Sequence, residues 1–155
     1  MEHWEKQSLI LNIEEKEKKP VSPLFAAIFV ILQLTWGLPQ TLVGFLLFLC
    51  NCRGEHCFHR GCIHTTWPDD LSGVSLGLFI FTGEGCIDDM RDHEFGHSVQ
   101  SLILGPFYLF VIGIPSLIWN RKWVRNLKRN GRAKNYFSFF TEHWAESIKE
   151  RIQKA

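Results

Sequence analysis

The chain has 155 residues and a mass of 18.1 kDa, room for one core and too little for two domains of ordinary size, so architectures needing several hundred residues are excluded. Its net charge is +1 and charged residues make up 21%, so no chain-wide attraction to nucleic acid is expected. Aromatic residues reach 14%, with 13 Phe and 6 Trp, while mean hydropathy is only −0.02; the apolar residues must therefore lie in blocks.

Residues 1–23 form a polar N-terminal segment, a short helix or frayed tail with no sign of chemistry. From Pro20 to Cys52 there is no Asp, Glu, Lys or Arg, and 24–50 is almost continuously apolar. That is long enough to cross a bilayer core, which needs about 20 residues of helix. Trp36-Gly37-Leu38-Pro39-Gln40 interrupts it, and a proline inside a helix removes a hydrogen bond, so the block reads as one kinked span or a re-entrant hairpin. It starts too late and runs too long for a cleavable signal peptide.

Residues 51–88 read as a Cys/His loop with strands. Cys52, Cys57 and Cys62 recur every five residues near Cys50, with His56, His59 and His64 interleaved. The spacing is looser than the closely paired cysteines of structural zinc sites, so ordinary loop cysteines or a disulfide are favoured over a second metal site. Residues 74–81 carry β-branched and aromatic residues between turn-forming ones and read as one strand, with a partner near 57–67.

A helix over 89–104 follows, and it begins a second uncharged run, Phe95 to Asn120, divided by Gly105-Pro106 and Gly113-Ile114-Pro115. Segment 105–119 is a transmembrane or re-entrant element. As a soluble alternative both apolar runs would be buried core helices, but too few polar residues would then remain to coat the globule. In 120–136, Arg121, Lys122, Arg125, Lys128, Arg129, Arg132 and Lys134 occur with no acid among them and read as a basic loop. The positive-inside rule places that loop in the cytoplasm, where it meets membrane lipid of anionic type rather than nucleic acid. Lys16, Lys18 and Lys19 put the N-terminal flank on the same side, though Glu14, Glu15 and Glu17 accompany them. Residues 137–153 form an amphipathic helix, with Phe140, Trp144, Ile148 and Ile152 four residues apart.

The chemistry concentrates in Asp92-His93-Glu94-Phe95-Gly96-His97, which contains H-E-x-x-H. Residues four apart share a helix face, so His93 and His97 can offer two imidazoles to one metal ion while Glu94 stands beside it as general base. A catalytic zinc takes a third protein ligand and keeps a fourth position open. Glu142 supplies that ligand from the C-terminal helix, and Glu146, one turn on, accepts the second N–H of a zinc-bound histidine. His143 competes with Glu142 for the ligand role, and two solvated glutamates on a polar face are the plain alternative.

His93-Glu94-x-x-His97, followed after 44 residues by Glu142-x-x-x-Glu146, resembles the gluzincin metallopeptidases. Gly96 gives the H-E-x-G-H form of membrane-embedded relatives such as CAAX prenyl proteases, the heat-shock protease of bacterial inner membranes and site-2 proteases. The departure is Glu146, where gluzincins usually carry Asp. The strings from His93 to Ser101 and from Thr141 to Ala145 also resemble small bacterial membrane proteins with this metalloprotease pattern. By that resemblance the strand at 74–81 lines the cleft and offers an edge to an extended peptide. Tyr136 and His143 are candidate oxyanion stabilisers.

One straight helix over 95–119 would put His93 about 40 Å from Arg121, out of reach of Glu142. The chain is therefore expected to turn back at Gly105-Pro106 or at Gly113–Pro115. The expected protein is a mainly α, single-domain membrane protein with a small β hairpin or sheet and a zincin-like H-E-x-x-H helix packed on the C-terminal helix. The expected activity is Zn2+-dependent hydrolysis of a peptide or membrane-protein substrate, at a site near the cytoplasmic face of the plasma (inner) membrane. A lipid-modifying hydrolase with the same metal chemistry is not separated from a peptidase by the sequence. The rival class is a membrane interaction or scaffold protein with a structural metal or none.

Overall fold

The computed structural model describes residues 22–68, 73–83, 88–131 and 135–154. The N-terminal tail, Cys86, Arg132 and Lys134 lie outside them. The fold is mostly helical with one small mixed sheet.

The first apolar block forms two helices, α1 (Pro23–Thr35) and α2 (Leu38–Cys50), which meet at 95°. The break follows from Pro39, which lacks an N–H and is tolerated only in the first turn of a helix, so α2 starts there instead of continuing α1. Each arm has 13 residues, about 20 Å, against a hydrocarbon core of about 30 Å. No single helix among the described residues is long and apolar enough to cross a membrane.

The polarity of this hairpin is inverted relative to a water-soluble fold. Leu24, Ile31, Leu34, Leu42, Leu46 and Leu49 are exposed, whereas Gln33, Gln40 and Thr41 are buried. Gln33 donates to the Ser98 carbonyl at 2.9 Å and accepts from the Ser101 hydroxyl at 2.8 Å, and Gln40 donates to the Gly105 carbonyl at 3.1 Å while its own amide oxygen is buried without a partner. Thr41 donates to the Gln33 carbonyl at 3.0 Å, tying α2 back to α1.

Strands β1 (His56–His59) and β2 (Cys62–Trp67) form a hairpin whose two turn residues, Arg60 and Gly61, both have positive φ, as the tightest hairpin turns require. The expected single strand at 74–81 is instead a second hairpin, β3 (Val74–Leu76) and β4 (Phe79–Gly83). Gly77 causes the split. Its φ of +65° opens the turn, and an added Cβ would lie 2.1 Å from the Thr41 hydroxyl. The sheet order is β1-β2-β4-β3, with β2 and β4 parallel, so the expected partner near 57–67 is β2. The core lies between α1, the sheet and the next helix, around Phe29, Phe79, Ile80, Phe81 and Phe95.

That helix, α3 (Asp88–Leu104), carries H-E-x-x-H and ends at Gly105. Gly105 has a φ of +53° and lies under the Trp36 ring, where any side chain would collide. The chain turns back there, by 119°, through a short 3-10 turn (Gly105–Phe107) and a π turn (Leu109–Gly113) into α4 (Ile114–Asn130). Of the two expected turning points Gly105-Pro106 is used, while Pro115 sits in the first turn of α4.

The basic stretch is a correction: 120–130 is the second half of α4, not a loop. Arg and Lys are good helix formers, Lys128 and Arg129 sit favourably at the carbonyl end, and Gly131 closes the helix with a φ of +62°. A 3-10 turn (Tyr136–Ser138) then leads into α5 (Phe140–Lys154). The apolar line read from the sequence is not what α5 buries. Phe140 is exposed, and Thr141, Glu142, Ala145 and Lys149 face inward, because a polar site lies opposite them.

The buried amides give a direct test of how the inverted hairpin is held. Replacing Gln33 by Leu leaves the Ser101 hydroxyl without its acceptor and the Ser98 carbonyl without its donor. It is expected to cost on the order of 1–3 kcal/mol in detergent-solubilised protein, read as a lowered thermal midpoint; an unchanged midpoint would mean these bonds contribute nothing net.

Candidate metal centre

Helices α3 and α5 pack closely because Gly96 faces the α5 backbone: a Cβ there would lie 2.5 Å from the Ala145 carbonyl oxygen. This approach brings Glu142 under the two histidines. Its Oε2 lies 3.2 Å from His93 Nε2 and 3.3 Å from His97 Nε2, and one donor atom from each of the three residues falls within 4.8 Å of the others. All three side chains are buried.

The far nitrogens of both rings are held. His93 Nδ1 is 2.9 Å from Glu146 Oε2, and His97 Nδ1 is 2.8 Å from Gln100 Oε1. These partners are acceptors, so each Nδ1 donates to its partner and each ring turns its Nε2 toward Glu142. Two ring nitrogens and a carboxylate oxygen thus face one point, where a cation could sit between them. The donor set of two imidazoles and one carboxylate fits a divalent ion of the zinc type.

A further layer of contacts fixes the ligands. Gln100 donates to the Thr141 carbonyl at 2.9 Å. Glu142 Oε1, the oxygen turned away from the rings, accepts from the Ser116 hydroxyl and, at 3.2 Å, from Thr141. Buried Lys149 pairs with Glu146 and, at 2.8 Å, with Asp89 at the start of α3. Asp92 receives His59 and Arg60 from the β hairpin, both at 2.9 Å, and Gln153 from α5 at 3.1 Å.

Electrostatics separate the two central glutamates. Burial opposes ionisation of Glu142, but the hydrogen bonds from His93 and His97 outweigh it and hold the carboxyl well below the usual range. Glu94 has no such partners. Burial pushes it up to about 8, with the His97 charge opposing and the Glu142 charge adding. Its Oε2 is buried without a hydrogen-bond partner, the signature of a group whose partner is a ligand or substrate.

Glu94, His97 and Glu142 border a cavity of about 270 Å³ whose other walls are largely apolar, including Val43, Leu76 and Leu117. Strand β3 lines it, as the expected cleft strand should, although its Ser75 carbonyl already accepts from Tyr108 at 2.9 Å. Tyr136 lines it too, beside Glu142 and Ser116; burial and the negative charges of Glu142 and Glu94 raise its phenol above the ordinary range, so it stays a donor.

His143 is exposed, and it is neither among the three converging donors nor among the residues that line the cavity. The cysteines and histidines from His56 to His64 lie on the β1–β2 hairpin. Cys50, Cys52 and Cys57 are free and exposed, and Cys62 is free and buried, its thiol pushed up to about 12 by burial. His64 bonds Thr82 at 2.7 Å, and among the described residues only His93, His97 and Glu142 converge as metal donors.

Sequence reasoning missed Gln100, Lys149 and Ser116. Gln100 and Lys149 each lie three residues beyond a site residue, His97 and Glu146, a spacing that places them on the same helix face. Ser116 carries no such signal, since it reaches Glu142 only through the turn at Gly105.

Comparison of the chain with protein-family models, curated proteins and solved structures returns no match. The geometry carries the functional argument alone.

Gln100 tests whether orientation of His97 matters. Gln100→Leu should weaken zinc or cobalt binding by roughly 10–100-fold in chelator competition. An affinity within twofold of wild type would assign Gln100 to packing.

Proposed function

We propose that this chain is a membrane-embedded zinc metallopeptidase of gluzincin-like type that hydrolyses a peptide or membrane-protein substrate. His93, His97 and Glu142 hold the metal, Glu94 is general base and acid, and Glu146 orients His93. The observation that carries this reading is the convergence of Glu142 on both Nε2 atoms, with unpartnered Glu94 beside a cavity.

Zinc at such a site supplies Lewis acidity and lowers the pKa of a water toward neutrality. Glu94, unpartnered beside the cavity, takes the proton from the attacking water and returns it to the departing amine. Glu146 and Gln100 keep the two imidazoles in one tautomer and one orientation. Tyr136 faces the same cavity and is placed to donate to the developing oxyanion. Among the described residues three donors converge, and a catalytic metal takes three protein ligands where a structural one takes four.

The membrane part rests on the inverted hairpin. Its exposed apolar side chains continue through Ile103, Phe107, Phe110, Ile114, Leu117 and Ile118, and only lipid solvates such a surface without penalty. The lipid-facing segments are 23–50 and 103–118, both bent and re-entrant, and the metal centre lies on their polar side, near the cytoplasmic face of the plasma membrane.

Purified wild-type protein is expected to carry about one zinc per chain, and Glu142→Ala to lose it. Glu94→Gln should keep zinc but lower hydrolysis of a fluorogenic peptide library by roughly 100-fold or more. Undiminished turnover in Glu94→Gln, or zinc retained in full by Glu142→Ala, would overturn the assignment.

A further inference from the structure

Helix α4 lies on the surface with no buried residue. Its outward side chains are Ile114, then Leu117 and Ile118, then Arg121, Arg125 and Lys128, each three or four residues from one in the turn before, which keeps them to one face. The first half of this face is apolar and exposed, part of the belt just described. From residue 121 it is basic: Arg121, Lys122, Arg125, Lys128 and Arg129 are all exposed, and α4 contains no Asp or Glu.

Trp119 and Trp123, on the opposite face, tie α4 to the chain that leads into α5. Trp119 stacks on Phe139 and donates to the Tyr136 carbonyl at 3.0 Å, and Trp123 meets the Tyr136 ring edge-on. A solvated helix mixes charge signs and has no apolar half. A nucleic-acid-binding helix has no reason to run on into a lipid-facing belt. One face that changes from apolar to basic within a turn suits a helix passing from hydrocarbon into a layer of negative headgroups.

We propose that the basic half of α4 binds the headgroups of anionic phospholipids in the bilayer and thereby sets the depth of the metal centre. This rests on the membrane part of the proposed function. Ser116, which holds Glu142, precedes Arg121 by about one and a half turns, roughly 8 Å of rise. The centre then lies at most about that far beneath the headgroup plane, and the substrate is a segment at the membrane boundary, not one at the bilayer midplane.

The test uses the full chain in neutral detergent, titrated with phosphatidylglycerol or phosphatidylcholine, with retained lipid counted by native mass spectrometry. Each basic residue near an anionic surface contributes roughly fivefold. Wild type should therefore retain phosphatidylglycerol at least about tenfold better than phosphatidylcholine. The exposed-site variant R121Q/R125Q/K128Q/R129Q should lose that preference while keeping its zinc. Equal retention of the two lipids by wild type, or an undiminished preference in the variant, overturns the proposal, as does a wild-type preference for short single-stranded RNA over phosphatidylglycerol. Absence of zinc with the lipid preference intact would instead sink the peptidase reading and leave this one standing.

Discussion

The close crossing of α3 and α5 is the constraint on which the rest of the structure depends. Gly96 removes the side chain that would hold the helices apart, Ala145 faces it, and the gain in proximity places Glu142 between two imidazoles. A carboxylate and two imidazoles buried together are costly unless each remaining hydrogen-bonding position is filled. Here Glu146, Gln100, Ser116 and Thr141 fill them. Glu94 Oε2 is left without a partner, and Glu94 faces the cavity.

The inverted hairpin and the metal centre are linked through α3. One side of this helix offers Ser98, Ser101 and the Gly105 carbonyl to Gln33 and Gln40, and another offers His93 and His97 to Glu142. Its first turn is clamped separately, through Asp92 to His59 and Arg60 and through Asp89 to Lys149. A helix held at both ends and on two faces loses little further freedom when a ligand arrives, which is the condition for a preorganised site.

Much of this was legible in the sequence because it depends on short-range periodicity. The pairs His93/His97 and Glu142/Glu146 are each one helical turn apart, and that spacing places both on the faces where they are found. The need for a turn near Gly105-Pro106 followed from distance alone. What was not legible depends on tertiary packing. Gly77 reads as a small residue within a strand until Thr41 of α2 is seen beneath it, and the basic stretch reads as a loop until the reversed chain is seen to continue as helix. The buried face of α5 was misjudged for a related reason: its partner is a polar site, so hydrophobicity pointed to the wrong residues. In the β1–β2 hairpin, Cys57 and His64 are cross-strand partners 3.4 Å apart, but among the described residues no third donor joins them, in keeping with the preference for ordinary cysteines over a second metal site.

The central claim is that this chain holds its metal with two imidazoles and one carboxylate, and X-ray absorption at the zinc edge of the purified protein tests it most directly. The account predicts a shell of two nitrogen and one or two oxygen neighbours at about 2.0–2.2 Å, without sulfur. A sulfur shell near 2.3 Å would place the metal on the cysteines of the β hairpin and contradict the account.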